Sequence, residues 1–81
     1  MKIAIIARER YCRRILEFLK FSATGKYEFT GTKHYNGNEV SVFIFESTEA
    51  EVINAEIYIK GAFLSDDVIT LRFVNDVPAI E

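Results

Sequence analysis

Residues 26–46 read KYEFTGTKHYNGNEVSVFIFE, two strand-like runs on either side of Asn36-Gly37. Asn-Gly in that setting is the strongest short-range hairpin signal, because a type I′ turn needs positive φ at both central residues. The turn sets a register in which Tyr35 faces Asn38, Lys33 faces Val40, Gly31 faces Val42 and Phe29 faces Ile44. One face of the hairpin then carries Tyr27, Phe29, Val40, Val42 and Ile44 and reads as core. The other carries Glu28, Thr30, Thr32, His34, Glu39, Ser41, Phe43 and Phe45, polar but for its two phenylalanines.

On the N-terminal side, Ile3 to Ala7 reads as a short buried strand running into a helix over 8–23. Tyr11, Cys12, Ile15, Leu16, Phe18, Leu19 and Ala23 recur there at helical spacing, with Arg10, Arg13, Arg14, Glu17 and Lys20 on the opposite side. Gly25 lies just past the helix end, where a left-handed residue is usually needed. On the C-terminal side, Thr48-Glu49-Ala50-Glu51 has the spacing of a capping box and opens a short second helix. Ala55 to Lys60 alternates as a half-buried strand, with Ile57 and Ile59 inward and Glu56, Tyr58 and Lys60 outward. After a turn at Ser65-Asp66-Asp67, a last strand points Ile69, Leu71 and Phe73 inward and Thr70 and Arg72 outward. Asn75-Asp76-Val77-Pro78 stops it and leaves 75–81 as a tail. The fold class is therefore α+β. The order fits a ferredoxin-like βαββαβ plan with an added C-terminal strand. If the second helix is only a turn, the fold becomes one helix packed on an antiparallel sheet.

Eighty-one residues make one domain, 1–81, of marginal stability alone, which a second copy or a bound partner would help. A chain 49% apolar and 27% charged is not disordered. The single cysteine, Cys12, cannot form an internal disulfide, and no Cys/His spacing suits a metal, so no metal and no cofactor is expected. The apolar run at 3–7 is too short for a signal peptide, and no stretch approaches the roughly 20 apolar residues of a membrane span. The expected compartment is the cytoplasm.

Charge is divided unevenly. Residues 1–34 hold eight basic residues against three acids, net +5; residues 35–81 hold two against nine, net −7. Such a division speaks to partners, because a summed field steers encounters without specifying a core. Arg8, Arg10, Arg13 and Arg14 fall at the start of the first helix, where free N–H groups and guanidinium forks suit phosphate or carboxylate. A solvated helix face is the plainer explanation, and no glycine-rich phosphate loop precedes the helix. Phe21 falls on the charged side, either to stack on a partner or to fold back under the hairpin.

Phe43, Phe45 and Tyr58 are expected outward near Lys60 and Arg72. An open sheet with aromatics is how RNA-recognition modules stack bases, but their marking motif is missing; a homodimer or protein interface burying these rings ranks higher, and simple core is the remaining reading. Cys12 suits a core stripe, His34 a solvated strand end, and Asp66-Asp67 a solvated turn. Nothing assembles a nucleophile, a base and an orienting group, so the expectation is a protein that is not an enzyme.

Short, single-domain, polarised in charge and without catalytic motifs, the chain resembles small virus- or phage-encoded accessory proteins. That resemblance implies inhibition or redirection of a host factor, such as a defence nuclease or toxin. The leading expectation is accordingly a protein-interaction module. Its acids Glu46, Glu49, Glu51, Glu56, Asp66 and Asp67 would dock on a basic surface, and Phe43, Phe45 and Tyr58 would serve as anchors. The alternative is an RNA- or phosphate-binding module using Arg8, Arg10, Arg13, Arg14 and Lys20. A third reading is a homo-oligomer that pairs basic and acidic ends.

Overall fold

A computed structural model describes residues 1–74. The tail expected at 75–81 lies outside the described residues. Strand β1 (Lys2–Arg8) leads through a 3-10 turn (Glu9–Tyr11) into helix α1 (Cys12–Phe21). Strands β2 (Lys26–Tyr35) and β3 (Asn38–Glu46) form the hairpin, followed by helix α2 (Glu49–Ala62) and strand β4 (Val68–Phe73). The sheet runs β2-β3-β1-β4 with every neighbouring pair antiparallel. This is a small α+β fold with the strand order of a ferredoxin-like arrangement, as the element order predicts. The expected last strand is present and occupies one edge.

The second helix is longer than the sequence suggests. Thr48 caps it, its side-chain oxygen accepting the Glu51 backbone N–H at 3.3 Å. Val52, Ala55 and Ile59, spaced for one helical face, are all buried. Residues 55–60, expected as a strand, are therefore the middle of α2. Ile57, expected inward, is 63% exposed. The first helix also differs: Arg8 still belongs to β1, and the three residues after it form the 3-10 turn.

The hairpin turn is as predicted, with φ of +51° at Asn36 and +79° at Gly37. Near it the register matches expectation, Tyr35 opposite Asn38, Lys33 opposite Val40 and Gly31 opposite Val42. Between Phe29 and Gly31 a bulge shifts it, so Phe29 faces Phe43 rather than Ile44. Thr30 sits in the bulge and donates its hydroxyl to the Val42 carbonyl at 3.0 Å.

The shift moves Tyr27 and Phe29 to the face of Phe43 and Phe45, and the helices cover that face rather than the other. Phe43 and Phe45, expected as exposed anchors, are 0% exposed. They join Ile3, Ile5, Ile15, Leu19, Val52 and Ile59 in the core between sheet and helices. Val40 and Val42 lie on the opposite face with Ile6, where Tyr35, Ile69 and Leu71 pack against them. Tyr27 and Phe29, expected in the core, remain 38% and 49% exposed. The physical reason is that β3 is apolar on both faces, so the alternation read from it could be assigned either way. In β4 the assignment also reverses: Val68 joins the helix-side core, while Arg72 reaches Glu56 on α2.

Candidate docking surface

The arginine cluster is dispersed by the fold. Arg8 ends a strand, Arg10 lies in the 3-10 turn, and Arg13 and Arg14 open α1. Arg8 Nε and Arg10 Nη2 converge on one oxygen, Asp67 Oδ1, each at 3.4 Å. Arg8 Nε also donates to the Asp66 carbonyl at 3.1 Å, and the Arg8 backbone N–H donates to the Asp67 carbonyl. Asp66-Asp67, read as a solvated turn, is thus where the α2–β4 loop is fastened to the end of β1. Arg13 makes only a long pair with Glu17, 4.0 Å apart on the helix surface.

Arg14 is used differently. Its guanidinium carbon lies 4.6 Å from the centre of the Phe63 ring and 6.0 Å from that of Tyr11. Tyr11 and Phe63 meet edge to face at 5.2 Å. Beside them Phe18 of α1 stacks on Tyr58 of α2, with centroids 4.2 Å apart and planes 6° from parallel. Phe18 and Tyr58, with Arg14, Glu17, Phe21 and Ser22, line an open groove of about 410 Å³ along the two helices. Phe21 stands at its end, 74% exposed, with Lys20 Nζ 5.3 Å from its ring centre. Cations over ring faces keep aromatics workable at a wet surface. Tyr58 therefore stays on a surface, as expected. It does so from a helix, and in the company of Phe18 and Phe21 rather than of Phe43 and Phe45.

The acids are scattered as well. Glu56 accepts a bidentate pair from Arg72, 2.8 Å to Nε and 2.6 Å to Nη2. The hydrogen bond from Arg72 holds the Glu56 carboxyl below the usual glutamate range, and the same bond raises Arg72. Glu49 and Glu51 sit in the first turn of α2, where the helix dipole favours acids. Cys12 is half-buried against the helix-side core, and His34 is exposed on β2 opposite Glu39. Among the described residues no three His, Cys, Asp or Glu side chains are grouped to hold a metal ion.

On the sheet face away from the helices, the central strands carry Ala4, Ile6, Val40, Val42 and Ile44, all but Ile44 buried, with Lys2, Arg8 and Glu46 toward the ends. No aromatic platform for bases stands on them. No described helix is long and apolar enough to cross a membrane. Sequence reasoning missed the Phe18–Tyr58 stack because Tyr58 was assigned to a strand. The signal for it was Val52, Ala55 and Ile59 at helical spacing behind the capping box. Comparison with protein-family models, with curated proteins and with solved structures finds no match.

Proposed function

We propose that this chain is a non-enzymatic interaction module that docks on an acidic protein partner through the outer surface of α1 and α2. By covering a working surface of that partner it modulates or inhibits it. The observation that carries the reading is Phe21, a large aromatic side chain left 74% exposed at the end of a groove lined by stacked rings and arginine. Burial of one phenylalanine ring is worth about 2–3 kcal/mol, so leaving it in water forgoes stability unless a partner takes it up. Aromatic rings and arginine are the residues that carry most binding energy at protein interfaces. Arg13, Arg14 and Lys20 around the groove supply charge that an acidic partner would complement. The RNA or phosphate reading has less support, since Asp67 offsets one of the two positive charges of Arg8 and Arg10.

The test places a photo-crosslinking residue at position 21, and separately at position 39 as an exposed control. A protein adduct formed from 21, absent from 39 and lost in Tyr58→Glu, supports the reading. Adducts equal from both positions, or an adduct removed by nuclease, overturn it.

A further inference from the structure

Strand β2 lies at the sheet edge, and among the described residues no strand pairs with its outer side. Its ten residues are all exposed or only half-buried. Natural edge strands of this length are usually guarded, and a bulge is one of the guards. A bulge throws any straight incoming strand out of step, so side chains beyond it meet the wrong face. The exception is a strand with the same irregularity.

The faces along β2 follow from its partners on β3. Lys26, Glu28, Gly31, Lys33 and Tyr35 point away from the helices; Tyr27, Phe29, Thr32 and His34 point toward them. The parity changes at the bulge, from even-numbered to odd-numbered residues. Two copies of β2 paired antiparallel about a two-fold axis between Thr30 and Gly31 therefore match face to face in the four rows on either side of the bulge. Lys26 opposes Tyr35, Tyr27 opposes His34, Glu28 opposes Lys33 and Phe29 opposes Thr32. A slip by one residue either way opposes side chains of unlike face, and a slip by two does so at the centre.

Hydrogen bonding agrees. In a two-residue hairpin the pair flanking the turn, Tyr35 with Asn38, is bonded across the hairpin. The alternate set Tyr27, Phe29, Thr32 and His34 then aims N–H and C=O outward, and in this register those residues oppose one another. Charge agrees too. Glu28 and Lys33 are both exposed, neither has an ion-pair partner among the described residues, and each meets the other's counterpart across the axis.

We infer that the outer edge of β2 takes a second copy of this chain, joining two four-stranded sheets into one eight-stranded sheet with Glu28 of each copy opposite Lys33 of the other. The bulge that rejects foreign strands is what makes the edge complementary to itself. The surface lies apart from the helix groove, so this inference stands or falls independently of the proposed function.

Light scattering after size exclusion, over a range of loading concentrations, reads the result on the full chain. A dimer is expected. Glu28→Lys or Lys33→Glu alone places like charges in both rows and raises its dissociation constant about tenfold. Mixing the two variants restores opposite charges in both rows and recovers a mixed dimer of wild-type strength. Circular dichroism checks that each variant stays folded, as exposed edge positions allow. A monomer at every concentration, a dimer indifferent to both reversals, or a mixture no tighter than its components would overturn the pairing.

Discussion

Gly25 shows how tightly single positions are fixed where chain segments cross. A Cβ built there would stand 2.6 Å from the Glu46 carbonyl oxygen and 2.7 Å from the Ser47 Cβ, on a backbone with φ of +138°. Its neighbour Thr24 is held in the same crossing, its carbonyl accepting the Ser47 hydroxyl at 2.6 Å. Gly25→Ala is expected to cost about 2–4 kcal/mol, through backbone clash and strain together. Gly61 is the contrast, a helical position where an added Cβ meets nothing within 4 Å. Gly61→Ala should stabilise by about 0.5–1 kcal/mol, and urea denaturation of the two variants checks both signs. The Glu56–Arg72 pair adds a pH dependence. The folded-state Glu56 carboxyl is depressed, so its contribution is present above the ordinary glutamate value and is lost as pH falls through the lower folded value. Glu56→Gln should therefore melt below wild type at pH 7, with the gap narrowing toward pH 3. A constant gap would show that the pair's ionisation is not the cause.

At the scale of elements, the two burial environments of aromatic residues separate core from surface. Phe43 is fully buried from a central strand, touching Phe29 at a ring distance of 5.1 Å, whereas Phe21 and Ile57 project from the helices. Phe43→Ala should cost about 3–5 kcal/mol, while Ile57→Glu should stay within about 0.5 kcal/mol of wild type in the same urea titration. The reverse order would restore the sequence-based assignment of these faces. That assignment shows what was legible. The Asn36-Gly37 turn, the pairing beside it, the Thr48 cap and the order of elements apart from 55–60 were all written in local residue chemistry. The bulge at Thr30-Gly31 was not, because Gly31 suits a straight strand and a bulge alike. It moves Tyr27 and Phe29 to the helix side of β2, while Phe43 and Phe45 are core because the helices cover their face of a strand that is apolar on both, and the expected docking anchors go with them. Ala55–Lys60 was ambiguous for another reason. Apolar Ile57 and Ile59 alternate with polar neighbours, and only the run back to Val52 reveals the helical period. Of the candidate site, Tyr58 and the neighbouring arginines were legible as surface residues, and their stacking partner was not.

Across the whole molecule, the division of charge along the chain is partly undone by folding. The basic N-terminal third and the acidic C-terminal half meet where Arg8 and Arg10 share Asp67, whose side chain is only 12% exposed while Arg10's is 68% exposed. One carboxylate thus offsets one of the two guanidinium charges beside Arg13. If the cluster is held back from polyanions by this contact, removing one negative charge should release it. Asp67→Asn keeps an oxygen for the Arg8 and Arg10 hydrogen bonds but leaves both cations unneutralised, so the fold need not change. Binding to poly-uridine, followed by fluorescence anisotropy over a salt series, should then strengthen. The slope of log affinity against log salt should steepen by about 0.7 to 1.4, the increment for one or two further phosphate contacts to a single strand. An unchanged slope with wild-type stability would mean that these arginines serve only to fasten the α2–β4 loop to β1. In that case the nucleic-acid reading loses its first two residues, and Arg13, Arg14 and Lys20 remain as the rim of a protein-binding groove.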